Sequence, residues 1–555
     1  MSDPTKKQDF ENGVIVELPT LTTPSYIQTV VGKGSSLSDD LDEFRGIPFG
    51  EVNKRWEHAK LRTHLPHNVF DATNDGRVLD QNALNPAIRP STSGLSRAGI
   101  KAPAKLPVLV WIHGGGGAFG ANSDPITDPA RVVLRSLEIG TPFIAVNLNY
   151  RLNVFGCLGS TDILNTQDQA EFKGLNFGTY DQKVGLTWVA RNIAQFGGDA
   201  EQITRGGHSS GSHSVHAHIL DAEAKPEKPL FKRAFMQSGA QSTVTPRPLV
   251  EAEKNWDKLC QHWGIEDGSS SEIKVEALRH ISAESILESA LENKIFMMPP
   301  IAEDLTMTME TVALPHVDLH QEAKPVDYKP IEIMIGTSDV ESAGNFQDDV
   351  DLKKLQELFA QSYPSAKAGA EVLEAYDAVF DLSVYRTRDS LSAQRGIEYG
   401  NAATIQPYNI EFGNPFPGPK RGCAHHAVEL IYQFDAFHDA LVSVDNDVFT
   451  PYAASSVKAY TEKETENSEQ KMTADQEVCA VSHLDMVHKF QDYWIGFIVG
   501  NPVQKVAEGE ILIWEKDGST RIERLAETPK WVERIGQLRI LEKDIESILK
   551  VVYAL

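Results

Sequence analysis

Gly207-His208-Ser209-Ser210-Gly211 sets a serine between two flanking glycines. Glycines at those offsets let the backbone turn sharply from strand to helix, so that the serine Oγ stands exposed at the helix start. Ile203-Thr204 reads as the start of a short strand before the turn, and Val215–Leu220 as part of the helix after it. A second run, His113-Gly114-Gly115-Gly116-Gly117, ends the apolar stretch 107–112. Backbone N–H groups fixed at such a strand end can receive the negative oxygen of a tetrahedral intermediate. The run lacks the Lys-Ser/Thr ending of a phosphate loop. Paired with the serine turn it reads as an oxyanion hole, with the amides of Gly115, Gly116 and Ser210 as donors. A serine hydroxyl also needs a base to take its proton and an acid to hold that base. The adjacent His425 and His426 are candidates for the base, and Asp339 and Glu341 for the acid. The residue types alone leave both choices open. The chemistry is acyl transfer through a covalent serine ester.

Alternating strands and helices must position these groups. Residues 107–112 and Phe143–Leu148 read as buried strands, as do Ala234–Gln237 and Ile331–Ile335. Between them, Val184, Leu186, Trp188, Val189, Ile193 and Phe196 recur at largely helical intervals, and Gly197-Gly198-Asp199 ends that helix. This pattern fits an α/β fold, a large and mostly parallel central sheet flanked by helices. The whole of 1–555 reads as one elaborated catalytic domain. Largely helical insertions over 250–330 and 350–410 are expected to cover the edge where open α/β sheets place their sites. Leu484–Ile498 is a further amphipathic helix, with Trp494 and Phe497 expected in the core.

Composition narrows the class of partner. The 555 residues carry 53 basic and 78 acidic side chains, a formal net charge of -25, which opposes binding to nucleic acid or anionic lipid. No apolar segment reaches membrane-spanning length, and the N-terminal residues lack the apolar core of a secretory signal. Cys157, Cys260, Cys423 and Cys479 lie far apart, as free thiols would. A cytoplasmic location is therefore expected. Neither a Cys-x-x-Cys pair nor a His-Glu-x-x-His helix occurs, so no metal or cofactor is expected.

Several longer motifs follow in one order. They are Phe44-Arg45-Gly46-Ile47-Pro48-Phe49, the Trp111–Gly120 loop, Asn149-Tyr150-Arg151-Leu152, Asp181-Gln182, Phe196-Gly197-Gly198-Asp199 and Ser238-Gly239. With them the chain resembles the type B carboxylesterase/lipase family, intracellular fungal members included, over most of its length. The resemblance implies the α/β-hydrolase fold and a triad in the order Ser, acid, His. Gly336-Thr337-Ser338-Asp339-Val340-Glu341 then aligns Glu341 with the family's acid. Glu429 three residues after His426, followed by Leu430, selects His426 as the base, with His425 beside the site. Ser209, Glu341 and His426 are thus the expected catalytic residues of a serine carboxylesterase.

Departures from the family pattern bear on the substrate. His208 stands where many relatives have glutamate, which weakens a choline-ester reading. The region Gly76–Pro90 has Leu79 and Ala83 near where relatives place cysteines, so the usual disulfide is absent. Gly117, Phe119, His208 and His425 are the expected pocket residues. The expected partner is a small-molecule ester, with no nucleic acid and no membrane anchor, and a homodimer is left open. An amidase or lipase using the same site is the alternative, and a noncatalytic binding protein a more distant one.

Overall fold

Leu106–Ile112 (β5) is built of valine, leucine, isoleucine and tryptophan, and is buried from Val108 onward. Burial of both alternating faces is what a central parallel strand requires. The protein's structure is a computed structural model. It describes residues 13–75, 83–167, 172–223, 227–241, 243, 246–295, 298–303, 330–341, 380–381, 383–392, 405–418, 420–446 and 482–542.

Around β5 these residues form a large mixed sheet. Its further strands are β1 (Val14–Pro19), β2 (Ile27–Gly34), β3 (Leu41–Phe44), β4 (Ala83–Pro90) and β6 (Ile144–Leu148). Beyond them follow β7 (Gly198–His208), β8 (Arg233–Gln237), β9 (Glu332–Ser338), β10 (Ile405–Ile410), β11 (Glu510–Trp514) and β12 (Thr520–Arg524). The spatial order is β1-β2-β3-β4-β6-β5-β7-β8-β9-β10-β11-β12. From β6 to β11 every pairing is parallel, and the outer pairings are antiparallel. This is the expected α/β architecture.

The winding reverses between β5 and β7. The chain leaves β5 for β6 on one side and returns to place β7 on the other. At such a reversal the loops leaving the carboxyl ends diverge and open a crevice. The Gly114–Gly117 loop and Ser209 leave the sheet at that point, since Gly207 pairs with Ile112.

Helix α1 (Phe177–Asn192) buries Val184, Leu186, Trp188 and Val189, and a 3₁₀ turn carries it to Phe196. Gly197, at φ 90°, ends that turn in the left-handed region where glycine has no steric cost. The following strand starts at Gly198, not at Ile203 as the apolar run suggests, because the mostly polar residues 199–202 form an irregular lead-in. Helix α2 (Ser210–Glu223) takes the chain away from β7.

Within the first expected insertion, helices Leu249–His262 (α3), Ser271–Arg279 (α4) and Ala283–Glu292 (α5) bury Trp256, Leu259, Val275, Leu278 and Ile286 in a core separate from that of the sheet. Of the second, residues 350–379 and 393–404 lie outside the described residues, and residues 383–392 are helical. The Leu484–Ile498 expectation falls within His483–Ile498 (α7), where Trp494 and Phe497 are buried in the sheet core. No helix among the described residues is long and apolar enough to cross a membrane. The region around Leu79 lies outside the described residues, and Cys157, Cys260 and Cys423 are free thiols.

One buried ion pair fixes the loop after β6. Arg151 donates from Nε and Nη2 to the two Asp181 oxygens at 2.7 Å, and its own backbone N–H donates to Asp181 at 3.1 Å. Asp181 has no exposed surface. Removing the cation alone would leave an uncompensated buried carboxylate. Arg151→Met is therefore expected to lower stability by about 3–5 kcal/mol. Arg151→Met/Asp181→Leu should recover most of the loss, read from denaturant midpoints of the full-length protein.

Candidate active site

Ser209 sits between β7 and α2 with φ 56°, a left-handed conformation that costs a non-glycine residue about 1–3 kcal/mol. The surroundings enforce it. Its N–H donates to the Gln237 carbonyl at 2.8 Å, and its carbonyl accepts from His213 N at 3.0 Å. Gly211 crosses β5 so closely that an added Cβ would stand 2.2 Å from the Ile112 oxygen. A glycine at this place is a packing requirement of the turn.

The loop after β5 faces the same point. Gly115, Gly116 and Gly117 have φ of 108°, 63° and 70°, a run that side chains resist. An added Cβ on Gly114 would lie 3.1 Å from that of Ser209. The Gly117 N–H donates to Ser210 Oγ at 3.3 Å, tying the loop to the first turn of α2. Tyr150 donates to the His113 carbonyl at 2.8 Å and stacks on the His113 ring at 4.6 Å. No described residue accepts the N–H groups of Gly115, Gly116 or Ser210. Three donors on tight backbone at a helix N-terminus make a site for a negative oxygen.

The acid and base candidates are separated by backbone register. Val340 and His425 form an isolated parallel bridge, with Val340 N donating to the Ala424 carbonyl at 3.0 Å. Their next residues, Glu341 and His426, then stand side by side, and His426 Nδ1 donates to Glu341 Oε2 at 2.5 Å. A proton on Nδ1 leaves Nε2 free to accept one. Glu341 is fully buried and takes two more donors, Ser338 N–H and Ser238 Oγ, both at 2.7 Å. Burial works against the His426 cation, but the Glu341 charge and hydrogen bond, with Glu429 adding, raise its pKa above the ordinary histidine value.

The competing candidates are engaged elsewhere. His425 bonds the His426 carbonyl through Nδ1 at 2.6 Å and Asn414 through Nε2 at 2.9 Å. Asp339 receives Lys530 at 2.9 Å and Arg534 at 3.0 Å from the C-terminal helix Pro529–Glu542 (α8). Burial opposes its charge, yet these two cations hold its pKa below the ordinary carboxylate value.

Of the expected pocket residues, Phe119 is 69% exposed on the oxyanion loop, and Gly117 lies close to Cys157 Sγ. His208 and His425 are only 4% and 9% exposed. The His208 ring lies tilted against that of His426 with centroids 4.6 Å apart, and Phe380 approaches His426 at 5.1 Å. Ser238 enters the sequence reading only inside a motif and Glu429 only as a spacing mark, yet both meet beside Glu341. Ser238 Oγ lies 3.3 Å from Glu429 Oε1. The sequence signal for Ser238 was its place after a strand; nothing local marks Glu429 as buried.

Comparisons with known proteins bear on the family and the fold. The profile of the carboxylesterase family matches residues 19–394. Lipase 5 of Diutina rugosa is 39% identical over 237 residues, which take in 42% of this chain and 41% of the lipase. The match thus spans less than half of that lipase. The para-nitrobenzyl esterase of Bacillus subtilis is 30% identical over 74% of this chain and 83% of its own length. An inactive carboxylesterase-like protein of Byssochlamys spectabilis is 28% identical over 49% of this chain and 47% of its own. A solved structure of a PNB esterase superposes with a TM-score of 0.63, covering 94% of this chain and 99% of that one at 22% identity, a likeness of fold. The chain belongs to the carboxylesterase family.

Proposed function

We propose that this protein is a serine carboxylic ester hydrolase with Ser209 as nucleophile, His426 as general base and Glu341 as the acid that holds it. The observation that carries the reading is the 2.5 Å bond between Glu341 and His426, formed where the Val340–His425 bridge brings two distant segments together. It lies at the same sheet edge as Ser209 and the three unpaired amides.

In the first half-reaction His426 Nε2 takes the Ser209 proton as Oγ attacks the ester carbonyl. The amides of Gly115, Gly116 and Ser210 receive the oxyanion. The protonated His426 then gives its proton to the departing alkoxide, leaving the acyl group on Ser209. In the second, water gives its proton to His426, attacks the acyl-enzyme and releases the carboxylic acid, and the proton returns to Ser209. All steps use this chain's own groups. The Bacillus relative's name, para-nitrobenzyl esterase, supports an ester as substrate, and the relatives named as lipases leave the acyl length to measurement.

A series of p-nitrophenyl esters from acetyl to long acyl tests the reading. The wild type should turn over the shorter esters, and Ser209→Ala should lower kcat by about 10⁵–10⁶-fold. Equal rates in both proteins would remove Ser209 from the reaction. Glu341→Gln should cost about 10³–10⁴-fold in kcat, because an amide does not hold the required imidazole tautomer. Asp339→Asn should cost far less in kcat than Glu341→Gln while lowering the melting temperature, since it loosens the clasp of α8 on the turn but removes no group from the proton path. A general base works unprotonated, so kcat/KM should fall as pH drops through the raised pKa of His426. That acid limb should have its midpoint above 6.5, the ordinary histidine value.

A further inference from the structure

Behind the Glu341–His426 pair lies a second histidine and a second carboxylate that the proposed cycle does not use. His208, at the end of β7, faces His426 with its ring. Its Nε2 is buried, has no hydrogen-bond partner among the described residues, and lies 3.7 Å from Glu429 Oε1. Glu429 opens the helix Val428–Phe434 (α6) and has no exposed surface. Its second oxygen, Oε2, lies 3.4 Å from Ser338 Oγ. Ser238 Oγ carries a single hydrogen. It is already committed at 2.7 Å to Glu341 and reaches Glu429 only at 3.3 Å. Apart from its own backbone N–H, the donors to Glu429 among the described residues are thus more distant than those of Glu341.

We propose that His208 and Glu429 form a second histidine–carboxylate pair that holds one proton between them, positions His426, and sets the charge it faces. The proposal rests on the esterase reading for its kinetic consequence but not for its physical content. When the proton is present, the pair is neutral and His426 faces the negative charge of Glu341 alone. When it leaves, the ionised Glu429 adds a second negative charge on the His426 side, and His426 holds its own proton more tightly.

The groups around Glu429 agree with such an arrangement. From β7 comes neutral His208, whose burial, with His426 nearby, depresses its protonation well below the ordinary histidine range. From the loop after β9 comes Glu341, and from β10 the buried Tyr408, whose phenol burial pushes well up, with Glu429 adding to the shift. From its own loop comes His426. Burial first, and the Glu341 charge second, push the Glu429 carboxyl up to about 7. The one cation among these groups is protonated His426, whose charge favours ionised Glu429 but is outweighed by burial and by the Glu341 charge. A proton bound there near neutral pH is therefore in place during turnover at lower pH and absent at higher pH.

Two substitutions should move His426 in opposite directions. Glu429→Gln removes the second charge at every pH. The midpoint of the acid limb of kcat/KM for p-nitrophenyl acetate should fall by about half a pH unit or more, and the limb should steepen to a single-proton form. In His208→Gln the amide N–H₂ can donate to the Glu429 carboxylate and favour its ionised form, so the midpoint should rise. In Glu429→Gln/His208→Gln the rise should vanish, because it acts through Glu429. The same three variants and the wild type are followed by NMR titration of the His426 ring in the full-length protein, without substrate. If the wild type fails to hydrolyse any ester, the esterase reading falls, and the ring titration still decides the pair. Superimposable titrations in wild type and Glu429→Gln, or activity losses equal at all pH values, overturn the proposal and leave His208 as packing.

Discussion

A carboxyl group with no exposed surface must have its hydrogen-bonding capacity met inside the protein, and Glu341 imposes that demand on the centre of this structure. Three donors meet it, and each comes from a different part of the chain: Ser338 N–H three residues back, Ser238 Oγ after β8, and His426 Nδ1 from the loop before α6. The donors can converge only if β8, β9 and the His426 loop hold a fixed register. Gln237 pairs with Gly336, Ser238 N donates to the Gly336 carbonyl, and Val340 bridges His425. A one-residue slip in any of these would turn a donor to the other face. The parallel sheet is thus the frame that keeps one buried acid satisfied.

The same sheet absorbs the strain at Ser209. A left-handed serine is held by the Gln237 carbonyl on one side and by the first turn of α2 on the other. Gly211 permits the helix to pass within contact of β5, and this closeness brings the Gly114–Gly117 loop against the turn. Strain and oxyanion donors are two results of one packing arrangement. They occur at the reversal of winding because two loops diverge there and leave the turn uncovered.

What the sequence made legible divides along this line. Gly207–Gly211 and His113–Gly117 each encode a local turn, so their residue types alone point to a nucleophile and its donors. The strands at 107–112 and 143–148 were readable because burial on both faces leaves an apolar run, interrupted only by Asn147 in the second. The start of β7 was not, since residues 199–202 are mostly polar and irregularly paired. The choices between Asp339 and Glu341 and between His425 and His426 were likewise closed to residue type. In the structure a register between segments 85 residues apart sets Glu341 rather than Asp339 against His426, the pairing that the family pattern implies.

Asp339 shows how the rejected candidate still serves the site. It lies two residues before Glu341 and is gripped by Lys530 and Arg534 of α8, while Arg534 also bonds Asp381. Asp381 in turn accepts from Thr337 Oγ1 at 2.9 Å, within β9 itself. The helix α8 is therefore fastened to the segment that leads from β9 into Glu341. A charged loop residue of this kind carries no proton in the proposed reaction. Its ion pairs hold the backbone that lets the neighbouring acid stay buried with its donors, and the two carboxylates divide between anchoring and chemistry by which cations reach them.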